Sequence, residues 1–251
     1  GNDFYSAWLD PALVYSSARF DAGAKDLAAA QQDKLTSIAA RIAGAKTVLE
    51  IGCGWGALAA RLASDGAQVT AISLSDAQLH WARERHAGAA IEFRKQDYRD
   101  VTGQFDAIAS VEMVEAVGRE YWPAFFDCIE SCLKPGGRAA VQYIAISEEL
   151  FDAYAANVDF IQSYIFPGGM LVRESAFRQL AAERGLVWQD QELFAGDYAE
   201  TLRIWRENFE LAVNEGRLPA GFDARFVRLW RYYLMYCEGG FRGGGIDVAQ
   251  V

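Results

Sequence analysis

Short apolar runs alternate with helix-forming stretches through the first 146 residues, and this alternation restricts the fold more than any other feature. Strand candidates lie at 46–56, 68–75, 91–97, 105–112 and 137–146, and helical stretches separate most of them. Residues 21–43 are rich in helix formers, with apolar residues recurring at helical spacing. Strands that alternate with helices imply a parallel sheet covered on both faces. At 251 residues, 52% of them hydrophobic, the chain can fill the core of one large α/β domain.

The second half changes character. Residues 148–171 form a long aromatic-rich insertion, and 198–213 and 224–241 read as aromatic amphipathic helices. Such helices can roof a binding site or simply pack as core, and the sequence leaves both readings open. No internal repeat interrupts the chain.

A net charge of −10 argues against a nucleic-acid partner and against electrostatic adhesion to an anionic membrane. Contact with lipid would have to be local or apolar. Cys53, Cys128, Cys132 and Cys237 match no zinc spacing and read as reduced thiols, so no metal site is expected. No run is apolar for long enough to cross a bilayer. His80 and His86 share one helical stretch outside every motif and read as solvated surface residues.

The strongest local signal is Glu50-Ile51-Gly52-Cys53-Gly54-Trp55-Gly56. Glycines after a first strand let the backbone approach a ligand and turn into a helix. The spacing is G-x-G-x-G rather than the dinucleotide G-x-G-x-x-G. The carboxylate of Glu50 suits a ligand with an ammonium group, as in S-adenosylmethionine. Other nucleotide binders and a structural turn are the competing readings. At the end of the second strand, Ser73 and Gln78 can serve the ribose hydroxyls. After the third, Asp97 can bond the adenine amino group and Tyr98 can cover the ring. Ser75 or Asp76 can equally be the N-cap of the next helix.

Taken together, these segments resemble the cyclopropane-fatty-acyl-phospholipid synthase family, which includes the mycolic acid methyltransferases. The likeness runs through YSSARF at 15–20, LEIGCGWG at 49–56, QDYRD at 96–100 and SVEMVEAVG at 110–118. It continues through FIQSYIFPGG at 160–169, YAETLRIW at 198–205 and the segment 232–251. The resemblance implies a doubly wound, mostly parallel seven-stranded sheet of the class I methyltransferase type, Rossmann-like. Its antiparallel last strand would be 246–251, and added helices would cover the active site. Residues 1–251 would be one catalytic domain, with the helical insertion around 148–171 at the lipid site. Fuller family members carry a smaller N-terminal domain, so the opening residues are expected to follow one.

The resemblance also implies the chemistry. The double bond of an unsaturated phospholipid acyl chain attacks the methyl group of S-adenosylmethionine, and proton loss from the resulting cation closes a cyclopropane ring. Such a site must exclude water, hold the cation and supply a base. In the family that base is a bound bicarbonate. Its ligands fall here on Glu115, Tyr198, the backbone at Ile144, and Cys237. Two positions depart from the pattern: the family's usual cysteine is Ser17, and its usual histidine is Gln142. A backbone N–H serves at 17 with either side chain, and glutamine still offers an amide donor. A carboxylate beside bicarbonate would force one of the two to hold a proton. Glu115 as a helix cap is the plainer alternative. Tyr15, Ser16 and Leu74 complete the cofactor set with Glu50, Gly52, Gly54, Ser73, Gln78, Asp97 and Tyr98.

The expected setting is the cytoplasm, with transient contact at the inner face of the membrane; the expected assembly is a homodimer. Three rival outcomes keep some of these features. A methyl-branched or methylene fatty acid would form if the cation lost a neighbouring proton. A small-molecule N-methyltransferase would share the scaffold, and a regulatory binder of S-adenosylmethionine would need neither Glu115 nor Tyr198. The 148–171 insertion and the two aromatic helices are expected to line an apolar channel to the reacting methyl group.

Overall fold

The computed structural model describes residues 1–20 and 23–251. The elements run in the order α1 (Asn2–Ser6), α2 (Leu27–Arg41), β1 (Thr47–Ile51), α3 (Ala57–Ser64), β2 (Gln68–Ser73), α4 (Asp76–Arg85) and β3 (Ile91–Lys95). Next come β4 (Phe105–Val111), α5 (Trp122–Cys132), β5 (Leu133–Ile146), α6 (Glu148–Ala156), α7 (Phe160–Tyr164), β6 (Val172–Arg173) and α8 (Glu174–Glu183). The chain ends with β7 (Glu192–Leu193), α9 (Ala195–Asn214), α10 (Ala224–Arg242) and β8 (Ile246–Gln250). The helix expected within 21–43 is α2; residues 21 and 22 lie outside the described ones.

The strand order is β3-β2-β1-β4-β5-β8-β7, with β8 antiparallel to both of its neighbours. The doubly wound fold and its antiparallel last strand are therefore as expected. The strand number is not: β6 adds an eighth strand among the described residues, pairing in parallel with Ala145–Ile146 of β5. It uses the stretch of β5 that lies beyond the last pairing with β4, at Gln142.

Side chains alternate across β1 and sort the core. Val48 faces a cluster with Leu35 and Ile38 of α2 and Leu58 of α3. Leu49 and Ile51 face the other side, with Phe125 and Ile129 of α5 and Phe177 of α8. Glu50 shares the Val48 side, so its carboxylate meets the start of α3.

A third cluster extends from β8, at Val248, out to the N-terminal segment. Phe4 and Trp8 pack with Trp205 of α9 and Trp230, Tyr233 and Phe241 of α10. Trp205 is fully buried. This overturns the expectation that α9 and α10 line a channel: Trp205, Trp230 and Tyr233 fill a core between the N-terminal segment and the two helices. Their pattern could not distinguish the two roles, because burial against protein and burial against lipid select the same side chains.

Candidate functional site

The strand order reverses between β1 and β4, whose ends lie side by side at Ile51 and Ser110. Doubly wound sheets bind ligands in the crevice beyond such carboxyl ends. Here the crevice is a cavity of about 710 Å³. All ten residues expected at the cofactor line it: Tyr15, Ser16, Glu50, Gly52, Gly54, Ser73, Leu74, Gln78, Asp97 and Tyr98.

Two buried polar atoms in its wall, Glu50 Oε2 and the Tyr98 hydroxyl, have no partner among the described residues. Burial pushes the Glu50 carboxyl up to about 8, and a cationic donor at the free oxygen would restore the charged form. Gly54 has φ +52, and a Cβ there would meet no protein atom within 4 Å. Ser73 Oγ lies 3.3 Å from Gln78 Oε1. Ser75 is the N-cap of α4, accepting from Gln78 N at 3.3 Å. Asp97 is held ionised by the Arg99 guanidinium, which donates to it at 2.7 Å. These groups could hold S-adenosylmethionine, Glu50 taking an ammonium group, Ser73 and Gln78 a ribose, and Asp97 and Tyr98 an adenine.

The expected anion ligands lie together but point at the protein itself. Glu112, just beyond β4, accepts from Ser17 N at 2.8 Å, from Gln142 Nε2 at 2.7 Å and from the Tyr198 hydroxyl at 2.7 Å. Ile144 N donates to Glu115 instead. So four of the groups expected to hold bicarbonate hold carboxylates of the chain. Cys237 forms no hydrogen bond with either glutamate; it packs in the α9–α10 core, and burial pushes its thiol up to about 12. The side chain of Gln142 is oriented from behind, because Gln250 Nε2 donates to its carbonyl oxygen at 3.0 Å and turns its NH₂ toward Glu112.

Glu115 is not a helix cap. It lies in a 3-10 turn, its side chain reaches β5, and its other oxygen is shielded without a partner. Burial, and then the nearby charge of Glu112, raises it to about 8. Its backbone carbonyl accepts from Met170 N at 2.9 Å, which docks the Phe166–Gly169 turn of the insertion on the site. Tyr198 sits in the first turn of α9 rather than opening it.

The sequence reading passed over Glu112, Lys34 and Asp10. Lys34 is buried, donates to Ser16 Oγ at 2.5 Å and lies within electrostatic reach of Glu112, Asp10 and Glu50. One available signal was position: Glu112 and Glu115 both follow the carboxyl end of a central strand, where ligands bind. Of the histidines, His80 is exposed as expected, whereas His86 is not a solvated surface residue: it ends α4 half-buried, stacked on Phe93 with ring centroids 6.3 Å apart. All four cysteines are free thiols.

Comparison with known proteins agrees with this fold. The family described as mycolic acid cyclopropane synthetase matches residues 1–251. A tuberculostearic acid methyltransferase from Mycobacterium tuberculosis is 41% identical over 99% of the chain, and a cyclopropane-fatty-acyl-phospholipid synthase from Escherichia coli is 38% identical over all of it. The chain spans 61% and 64% of the lengths of those two relatives. A mycolic acid cyclopropane synthase crystallised with SAH and CTAB superposes with a TM-score of 0.91 at 26% identity, covering the whole chain and 93% of that structure. A coclaurine N-methyltransferase superposes at 0.80 with 18% identity, a likeness of fold alone. With residues 1–251 matched by the family and its sheet in agreement, the chain belongs to the mycolic acid cyclopropane synthetase family of S-adenosylmethionine-dependent methyltransferases.

Proposed function

We propose that the chain transfers a methyl group to the cis double bond of an unsaturated phospholipid acyl chain and completes it as a cyclopropane ring. One observation carries this reading: the cavity lined by the cofactor residues has Glu112 in its wall, at the focus of Ser17, Gln142 and Tyr198. S-adenosylmethionine, when bound, supplies an electrophilic methyl group. The chain's residues supply the rest. Glu50 takes the ligand's ammonium group, and Ser73, Gln78, Asp97 and Tyr98 orient its nucleoside. The carboxylate of Glu112 stabilises a cation formed next to the cavity. Bicarbonate is the base that the resemblance implies, and Glu112 already holds three of its expected donors. The names of the relatives support an acyl substrate; we infer that it is reached by peripheral contact at the inner face of the membrane. Among the described residues no helix is long and apolar enough to cross a bilayer.

The tuberculostearic acid methyltransferase favours a second reading on the same site, in which the cation loses a neighbouring proton and leaves a methylene or methyl-branched chain. Purified protein, S-adenosylmethionine and vesicles of cis-unsaturated phospholipid test both. Mass spectrometry should show acyl chains heavier by one CH₂, and the upfield NMR signal of ring protons separates the cyclopropane from the methylene product. Acyl chains of unchanged mass would refute both readings.

A further inference from the structure

We infer that Glu112 replaces the bound bicarbonate and is itself the base that removes the proton from the added methyl group. This rests on the acyl-transfer reading above. Several independent observations converge on it. The Glu112 carboxylate takes the Ser17 N–H and the Gln142 and Tyr198 side chains, with both of its oxygens engaged. The remaining backbone donor, Ile144 N, is spent on Glu115. A bicarbonate ion would have to displace a carboxylate from these donors and then sit beside it, anion against anion. Of the two glutamates, Glu112 lines the cavity and Glu115 does not.

The backbone supports the same assignment. Glu112 has φ +46, a left-handed conformation that a residue with a long side chain rarely adopts. An outlier at a ligand cavity, with its side chain fully engaged, fits a placement kept for function. Burial raises the Glu112 carboxyl above the usual range, which strengthens it as a proton acceptor, and the nearby buried Lys34 and the three donors oppose that rise. Neither histidine lines the cavity.

The step balances without any external base. The alkene π pair forms the bond to the incoming methyl carbon, and the carbon–sulfur pair stays on sulfur. Glu112 takes a proton from that methyl group, and the released C–H pair closes the ring onto the cationic carbon. Neutral Glu112 returns the proton to solvent after the product leaves.

Four measurements test the assignment. In carbonate-free buffer, wild-type turnover on unsaturated phospholipid vesicles should stay within about twofold of its value with added bicarbonate. Glu112→Gln, nearly isosteric, should lower turnover by about 10²–10⁴-fold, the usual worth of a general base, while S-adenosylhomocysteine affinity by calorimetry changes little. Glu112→Gly should open the donor set, so that added bicarbonate restores part of its activity. Line broadening of ¹³C-bicarbonate gives a readout free of activity: the glycine variant should bind the ion and the wild type should not. A wild type that binds bicarbonate and stalls without it, or a Glu112→Gln variant with normal turnover, overturns the assignment. A wild type inactive on every acyl substrate refutes the acyl-transfer reading instead, and the assignment is then judged on bicarbonate binding, where binding by the wild type overturns it. If Glu112→Gly fails to fold, the carbonate-free wild type and Glu112→Gln still decide.

Discussion

Asp10, Lys34, Glu50, Glu112 and Glu115 gather ionisable groups around one end of the sheet, and their protonation sets how the site meets a ligand. Glu50 moves from an ordinary 4.5 to about 8 because burial disfavours its charge, only partly offset by the Ala59 N–H and Lys34. Between these two values the unfolded chain ionises Glu50 and the folded chain does not. The stability carried by the neutral form is therefore complete below about 4.5 and is lost as pH rises through about 8. An ammonium ligand reverses the preference, because it needs the carboxylate. S-adenosylhomocysteine affinity should then rise with pH by up to about tenfold per unit below the folded value and level off above it. Lys34, lowered to about 8, and Cys53, whose thiol burial holds neutral, face the same carboxyl and keep constant charge through most of that window. Calorimetry on the wild type and Glu50→Gln checks this; equal slopes for the two proteins would remove Glu50 from the ammonium site. Glu50 was legible from its place before the glycines. Glu112 was not, although it stands in the motif SVEMVEAVG, because a glutamate at a strand end looks the same whether it faces water or three converging donors. The donors come from residues 17, 142 and 198, and only the fold brings them together.

At the level of elements, the segment between β1 and α3 separates fold from function within three residues. Gly52 and Gly54 both have positive φ, at +82 and +52. A Cβ on Gly52 would lie 2.5 Å from Met113 Cγ, whereas one on Gly54 would stand free. Gly52→Ala should therefore destabilise the fold by about 2–5 kcal/mol, from overpacking together with left-handed strain. Gly54→Ala should cost less stability, about 1–2 kcal/mol, and weaken S-adenosylhomocysteine binding more, because its methyl group enters ligand space. Urea unfolding and calorimetry on the two variants check the contrast; equal losses of stability would mean that Met113 gives way. The longer elements were readable because five or more residues establish a period. β6 and β7 are two residues each, too short for alternation to register, and exist because β5 and β8 offer free edges. β5 begins at Leu133, four residues earlier than its apolar run, since Pro135 and Gly136 mask a strand that shifts register against β4 near Phe105.

Across the whole molecule, charge and apolar surface divide the work of reaching a lipid. The net charge of −10 opposes an anionic surface. Apolar surface is concentrated instead where α7 meets α10. Tyr164, Tyr232 and Tyr236 are exposed by 63%, 52% and 41%, and Phe160 joins them, with its ring 4.6 Å from that of Tyr232. Next to them, Phe166 is also exposed and its ring contacts Tyr233, on the turn that docks against Glu115. The patch thus sits at the outer end of the insertion, joined to the site by one short turn. The sequence marked these aromatic residues without saying which would be buried; the fold places Trp205, Trp230 and Tyr233 inside and leaves Tyr164, Tyr232 and Tyr236 outside. If the patch meets the acyl layer, transferring about half of an aromatic side chain's surface is worth about 1 kcal/mol per residue. Tyr164→Ser combined with Tyr232→Ser should then remove about 2 kcal/mol, lowering affinity for unsaturated phosphatidylcholine vesicles by at least about tenfold. Raising salt from about 0.05 to about 0.5 M should change wild-type binding far less, because apolar contact is not screened as charge is. Vesicle co-sedimentation of the two proteins at both salt concentrations separates the contributions. Undiminished binding by the double variant would place the lipid contact elsewhere, and loss of wild-type binding in high salt would return it to electrostatics, against the sign of the net charge.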